Sequence, residues 1–157
     1  MSSPPDVYGF RRFLSLEFRD KRIFLSAVTL LAATGLGLKL LGFKRIRATL
    51  LQRPAGINTP SDLDAERQQA LHTAFLVSAA ARHGLYDAPC LPSAMTLQHL
   101  LRRQGIETAL RFGVRKESDK LDAHAWVEHL GLPLIDGPEV HERYRAFEGA
   151  MHKGEGH

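Results

Sequence analysis

Residues 88–94 read Ala-Pro-Cys-Leu-Pro-Ser-Ala and place Cys90, the only cysteine of the chain, at the predicted start of a helix. The unpaired backbone N–H groups and the dipole at a helix N-terminus favour the thiolate, which is the nucleophilic form of cysteine. The alternative is a small buried hydrophobic residue, the usual role of a free cysteine. The position of Cys90 between Pro89 and Pro92, at the helix start, favours the nucleophile.

A candidate base follows on a predicted strand, residues 122–128, which read Asp-Ala-His-Ala-Trp-Val-Glu. Alternation along this strand puts His124, Trp126 and Glu128 on one face, opposite a small apolar face that suits packing on helices. We therefore expect His124, Trp126 and Glu128 to line a site, with Trp126 shielding the Cys90–His124 pair from water. The alternative is that His124 and Trp126 simply pack in the core.

A carboxylate follows on the next predicted strand, residues 133–137, which read Pro-Leu-Ile-Asp-Gly. Taken alone, Asp136 would be a turn residue. Beside His124 it becomes the candidate that holds the second imidazole nitrogen, with Asp122 and Glu128 as rivals. Cysteine, histidine and carboxylate in this order are the parts of a triad for acyl chemistry.

Helices are predicted before these strands, so the fold class is α+β. Phe10, Leu14 and Phe18 indicate a first helix, and residues 23–38 a hydrophobic second helix that Gly35 and Gly37 should loosen or end. A third helical face comprises Leu71, Ala74, Phe75, Ser78 and Ala81; the helix from Cys90 should face inward through Ala94, Leu97 and Leu101. Strands are predicted over residues 108–114 and 122–130, with a polar turn over residues 115–120.

A linker over residues 52–60 gives an N-terminal helical portion (1–58), a catalytic domain (59–150) and a loose tail (151–157).

Composition excludes several classes of protein. One cysteine in 157 residues excludes a disulfide scaffold and fits a reducing, cytoplasmic compartment. The net charge of +4 is compatible with nucleic-acid binding, but no nucleic-acid-binding motif accompanies it, so we expect no nucleic-acid partner. The hydrophobic segment 23–38 is short for a membrane span, so a buried or partner-covered helix is favoured over membrane contact.

A zinc site is the other use of these residue types, but the spacing disfavours it. No Cys-x-x-Cys or His-Glu-x-x-His pattern occurs, and His124 and His129 fall on opposite faces of their strand. The remaining histidines are expected at the surface: His72, His83, His99, His141, His152 and His157. The sequence therefore predicts no metal.

The three candidate residues lie within or close to longer segments that together resemble a known family. These segments comprise residues 90–97 (Cys-Leu-Pro-Ser-Ala-Met-Thr-Leu), 100–106, 110–114 and 123–128, followed by the short strand with Asp136. On these residues the chain resembles the lasso-peptide leader peptidases, which belong to the transglutaminase-like (papain-like) cysteine protease superfamily. Two positions depart from that pattern: Ser93, where a longer polar or basic residue is expected, and Tyr86, where tryptophan is frequent. We expect both residues to line the substrate site.

The resemblance implies a cysteine peptidase that removes the leader from a ribosomally made lasso precursor peptide and needs no cofactor. It implies two partners, a separate leader-binding protein and an ATP-using macrolactam synthetase. We expect the basic, apolar N-terminal helices to be where partner proteins or a membrane face dock. Two alternatives stay open: an acyltransferase or transglutaminase that uses the same triad, and a non-catalytic scaffold.

Overall fold

The computed structural model describes residues 17–51, 62–83, 90–118 and 120–146, which form helices followed by a small antiparallel sheet. The predicted α+β class is confirmed. The helices that come first are α1 (Phe18–Leu41), α2 (Phe43–Leu51), α3 (Leu63–His83) and α4 (Cys90–Arg103). After them come β1 (Ala109–Glu117), β2 (Lys120–His129), β3 (Leu132–Pro133), the short helix α5 (Val140–Arg143) and β4 (Arg145–Ala146). The strand order is β3-β2-β1-β4.

The main core lies where α1, α3 and α4 meet one face of the sheet. Small side chains on α1 and α3, among them Ala27, Ala70 and Ala74, are fully buried and let these helices approach closely. The inward face predicted for α4 is confirmed, since Ala94, Leu97 and Leu101 are all buried. On β2, the apolar face contributes Ala125 and Val127 to the same core. The core therefore fixes α4 against β2, the two elements that carry Cys90 and His124.

The prediction that Gly35 and Gly37 loosen or end the hydrophobic helix is wrong. Helix α1 continues through both glycines to Leu41 and ends at Gly42, whose φ is 77°. At Gly37 a side chain would collide with Ile46 of α2, so this glycine permits close contact between consecutive helices. Tertiary packing has therefore overridden the low helix propensity of glycine.

The prediction of a polar turn over residues 115–120 is also wrong, because both strands extend through most of it. Pairing between β1 and β2 continues to Glu117 opposite Lys120. Arg115 donates from Nε to Oδ2 of Asp122, its cross-strand partner, at 2.9 Å. A pair of opposite charges across the two strands stabilises a hairpin and does not end it.

Two of the histidines expected at the surface differ in exposure. His99 is buried in α4, with Nδ1 3.0 Å from the carbonyl oxygen of Leu50 at the end of α2. His72 is half-exposed and lies 3.0 Å from Asp20 of α1. The surface prediction is wrong for His99.

Several predictions lie outside the described residues. These are most of the first helix, the linker over residues 52–60, the loose tail and Tyr86. The boundary near residue 58 stays a prediction, although α1 packs in the same core as α3 and α4.

Candidate active site

A cavity of about 320 Å³ lies between α3, α4, β2 and the segment that follows β3. Its lining brings together the three residues proposed from the sequence as a triad, Cys90, His124 and Asp136. The other residues that line it are Ser78, Ala81, Arg82, Ser93, Ala94, Ala125, Trp126, Val127 and Ile135. Four separate elements thus contribute to one site.

Cys90 is the first residue of α4 and is partly buried. Ser93 and Ala94 follow it by three and four positions, so the three side chains share one helical face, and all three line the cavity. At the first turn of a 14-residue helix, backbone N–H groups have no partner within the helix. Cys90 therefore combines access to the cavity with donors that can stabilise an anion.

His124 and Asp136 form a direct pair, with Nε2 of His124 2.9 Å from Oδ1 of Asp136. Both side chains are partly exposed to the cavity, at 22% and 28%. Because an ionised carboxylate only accepts hydrogen bonds, this contact places the imidazole proton on Nε2. Nδ1 is then the nitrogen that can accept a proton, as a general base requires.

The two rival carboxylates are engaged elsewhere on the sheet. Glu128 is buried and accepts hydrogen bonds from Trp126 Nε1 at 2.8 Å and from Arg111 Nε at 3.1 Å. Asp122 accepts from Arg115 Nε and from the Tyr144 hydroxyl, each at 2.9 Å. Asp136 is therefore the carboxylate that contacts His124.

Trp126 and Glu128 lie deeper than the sequence analysis expected. Trp126 lines the cavity but is only 1% exposed, and it packs with Val140 and Tyr144 in a second apolar cluster. Its ring is stacked relative to that of His124, with centroids 6.1 Å apart. Glu128 is not among the lining residues, because its carboxylate holds the indole N–H beneath the site. The indole of Trp126 thus packs beside the imidazole of His124, and the hydrogen bond to Glu128 fixes the orientation of the indole.

Tyr144 is a neighbour of His124 that the sequence analysis missed. Its ring is stacked on the imidazole, with centroids 5.0 Å apart, and it is nearly buried. Burial, followed by the hydrogen bond to Asp122, raises the pKa of the Tyr144 hydroxyl above its ordinary value. The same hydrogen bond, followed by that from Arg115, lowers the pKa of Asp122. The only sequence signal was the spacing of four between Val140 and Tyr144, too weak to indicate a site.

Gly113 is a second missed residue, and it lies directly opposite His124 in the β1–β2 register. A Cβ at this position would lie 2.9 Å from the Trp126 ring and 2.9 Å from Tyr144 Cβ. The absence of a side chain therefore makes room for both rings that pack around His124. A glycine within a strand pattern is the available signal, since it marks close approach of other groups.

Helix α3 supplies the remaining unpredicted part of the lining through Ser78, Ala81 and Arg82. Ser78 and Ala81 belong to the face noted in the sequence, on which Ala74 is buried in the main core. Leu71 and Phe75 are exposed on it, whereas the buried residues of α3 include Ala70, Val77 and Ala80. Arg82 brings a positive charge to the rim of the cavity.

Metal ligation does not emerge from the geometry. Within residues 17–51, 62–83, 90–118 and 120–146, no three His, Cys, Asp or Glu residues are grouped so that they could hold an ion. His124 is paired with Asp136, and His129 lies on the other face of β2, paired with Glu66.

Comparison with known proteins gives one match. The family model of the transglutaminase-like superfamily matches residues 28–148, which is most of the chain. No curated protein and no solved structure matches the chain significantly. The chain therefore belongs to the transglutaminase-like superfamily, and this membership supports a papain-like cysteine protease or an acyltransferase.

Proposed function

We propose that this member of the transglutaminase-like superfamily is a cysteine peptidase that removes the leader from a ribosomally synthesised lasso precursor peptide. One observation carries the proposal. A single cavity is lined by a cysteine at a helix start and by a histidine whose Nε2 lies 2.9 Å from a carboxylate. The finer assignment, to a lasso precursor, rests on the resemblance of residues 90–97, 100–106, 110–114 and 123–128.

In the first half of the proposed reaction, the Cys90 thiolate attacks the carbonyl carbon of the leader–core peptide bond. His124 has taken the thiol proton at Nδ1, and Asp136 holds the imidazolium through Nε2–H. The oxyanion of the tetrahedral intermediate accepts a hydrogen bond from the backbone N–H of Cys90. The C–N bond then breaks, His124 protonates the leaving amine, and the leader remains bound to Cys90 as a thioester.

In the second half, His124 removes a proton from water, and the resulting hydroxide attacks the thioester carbonyl. The C–S bond breaks, Cys90 takes from His124 the proton that came from water, and the leader leaves as an acid that releases its own proton to solvent. Tyr144 and Trp126, which pack on the imidazole, keep its ring in one orientation through both steps. Arg82 at the rim offers a cation to an acidic side chain of the precursor.

We propose two protein partners on the basis of the same resemblance. A leader-binding protein would present the precursor, and a macrolactam synthetase would close the ring on the amine released in the first half. A free thiol as nucleophile fits a reducing, cytoplasmic compartment.

The test is mass spectrometry of a candidate precursor incubated with the leader-binding partner and either wild-type protein or the Cys90→Ala variant. We expect the wild type to cut one junction, with Cys90→Ala inactive and a Ser78→Ala control still active. Equal cleavage by wild type and Cys90→Ala would remove Cys90 as the nucleophile.

The superfamily match supports an acyltransferase as well, because the same thioester can be captured by an amine in place of water. Adding a primary amine at increasing concentration separates the two. A peptidase releases the leader as a free acid throughout, whereas an acyltransferase converts it to the amide in preference to hydrolysis.

A further inference from the structure

Helix α1 is apolar on two opposite sides, only one of which is covered by the described residues. Its buried side packs on α3 and α4 through Ala27, Leu31 and Thr34. The other side exposes Phe18, Leu25, Leu36 and Leu40, each by more than half of its surface. Spacings of seven, eleven and four residues place these four side chains on one face of the helix. We call this set the outer face of α1.

The outer face suits a membrane surface better than a membrane span. By length and composition α1 could cross a bilayer, with a mean hydropathy of 1.8 over its most apolar part. Crossing would strip its inner side from the core, and would separate Asp20 from His72 of α3, now 3.0 Å apart. A helix that keeps one side in a protein core can place its other side in the headgroup region.

Basic residues stand at both ends of the outer face. Arg19 and Arg22 are exposed beside Phe18, and Lys39, Lys44 and Arg45 are exposed beyond Leu36. Across residues 17–51 the sequence holds seven basic residues and two acidic ones. An apolar helix face with cations at its ends is complementary to an anionic bilayer surface.

A second cavity, of about 310 Å³, adjoins this face between α1 and the end of α4. Arg19 and Arg22 line it from α1, and Arg103 lines it from α4. The remaining lining residues are Phe18, Ile23, Ser26, Leu100 and Gln104, none of them acidic. Guanidinium groups match phosphate oxygens in bidentate geometry, so this cavity is suited to a phosphate group.

We propose that the outer face of α1 docks on an anionic phospholipid bilayer, with a lipid phosphate held in the cavity formed by Arg19, Arg22 and Arg103. Phe18 and the leucines enter the boundary between headgroups and acyl chains, and α1 lies in the plane of the surface. The candidate active site shares no lining residue with this cavity and stays open to a substrate.

The experiment is co-sedimentation of the full chain with vesicles of phosphatidylcholine alone and of phosphatidylcholine mixed with phosphatidylglycerol. We expect binding to the mixed vesicles only, weakened by added salt. Leu25→Ser with Leu36→Ser should reduce binding roughly tenfold or more, because two apolar side chains no longer enter the bilayer. Arg19→Gln, Arg22→Gln and Arg103→Gln together should reduce it roughly 100-fold, since each cation contributes near an anionic surface.

Matched controls remove the same groups elsewhere. Leu121→Ser with Leu132→Ser removes two exposed leucines, one from β2 and one from β3. Lys116→Gln, Lys120→Gln and Arg145→Gln together remove three exposed cations from the sheet. Both controls should bind like the wild type, and circular dichroism of every variant checks folding.

Three results would overturn the proposal. The first is no binding to mixed vesicles, and the second is an equal loss in the controls. The third is displacement from the vesicles by inorganic phosphate at the concentration of the lipid, which would assign the cavity to a soluble anion. Sedimentation velocity without vesicles adds a further check: a dimer abolished by Leu25→Ser with Leu36→Ser would assign the outer face to a second copy.

Discussion

Strand β2 carries two histidine–carboxylate pairs of the same length, one on each face, and only one of them has the surroundings of a catalytic group. His124 Nε2 lies 2.9 Å from Asp136, and His129 Nε2 lies 2.9 Å from Glu66 of α3. His124 is 22% exposed and lines the cavity that contains Cys90, whereas His129 is 1% exposed and lines no part of it. The comparison teaches that the shared cavity with Cys90, and not the pair itself, makes His124 the candidate for a site and His129 a structural contact.

The largest expected effect comes from exchanging the two histidines for alanine. His124→Ala should lower the rate of precursor cleavage by about 10²- to 10⁴-fold, the usual contribution of a general base. It should lower the free energy of unfolding less than His129→Ala does, because the side chain of His124 is the more exposed of the two. His129→Ala should instead lower the free energy of unfolding by about 2 to 4 kcal/mol, since it opens a cavity and leaves Glu66 without its partner.

Cleavage rates per folded molecule and urea unfolding of both variants check this prediction. If His129→Ala abolished cleavage in the folded protein while His124→Ala did not, the roles of the two pairs would be reversed.

The carboxylates sharpen the same comparison. Asp136→Ala should reduce the rate about 10- to 1000-fold, because the imidazole loses the group that fixes its tautomer. Asp136→Asn should retain more activity than Asp136→Ala, since the amide oxygen still accepts from Nε2–H. Glu66→Gln is the matched control on the other face and should leave the rate unchanged. Steady-state kinetics of the three variants decide the point, and a larger loss in Glu66→Gln than in Asp136→Ala would contradict it.

A smaller effect is expected from Gly113→Ala, which places a methyl group against Trp126 and Tyr144. The free energy of unfolding should fall by about 1 to 3 kcal/mol through overpacking, and cleavage should slow as His124 shifts. Because the chain has one tryptophan, the fluorescence of Trp126 reports the displacement directly.

Gly131→Ala is the control for backbone strain away from the site. Its φ of 77° disfavours alanine, but nothing lies within 4 Å of the added methyl group. It should lower stability without moving the fluorescence. An unchanged spectrum in Gly113→Ala would show that this glycine does not make room for the rings.

The smallest expected effect concerns pH and the contact between Tyr144 and Asp122. The folded-state pKa of Asp122 lies below 3.8, chiefly because of the Tyr144 hydroxyl. A carboxylate with a lowered pKa stabilises the fold at neutral pH, and this contribution is lost as pH falls through the folded-state value. Tyr144→Phe should raise the pKa of Asp122 towards 3.8. The variant should therefore be less stable than the wild type at neutral pH, and the difference should vanish in strong acid.

Urea unfolding at a series of pH values, with the carboxyl carbon of Asp122 followed by NMR, measures both quantities. A difference in stability that grew as pH fell would have the wrong sign for this contact.

The sequence predicted those features of the candidate site that depend only on neighbouring residues of one helix or strand. Alternation on β2 correctly separated His124 and Trp126 from Ala125 and Val127, because a strand fixes which face each side chain takes. The helix start at Cys90 was predicted from Pro92, and it is where α4 begins. These features are local, so one sequence contains them.

Features that depend on tertiary contacts were missed. Gly37 could not be recognised as a packing position without Ile46 beside it, nor Gly113 without Trp126 above it. The sequence favoured Asp136 as the partner of His124 but left Asp122 and Glu128 as rivals, since excluding them depends on where Arg115, Tyr144 and the indole lie. Burial of His129 requires Glu66, which comes 63 residues earlier.

The measurement that tests the central claim most directly is the rate at which iodoacetamide alkylates Cys90 between pH 5 and pH 9, about the range in which histidine and ordinary thiols titrate. It compares the wild type with His124→Ala and His129→Ala. The account predicts rapid alkylation of the wild type at neutral pH, a large decrease in His124→Ala, and a wild-type profile for folded His129→Ala. If the wild type and His124→Ala had the same slow rate, then Cys90 and His124 would not form a catalytic pair, and the scaffold interpretation would replace the enzyme.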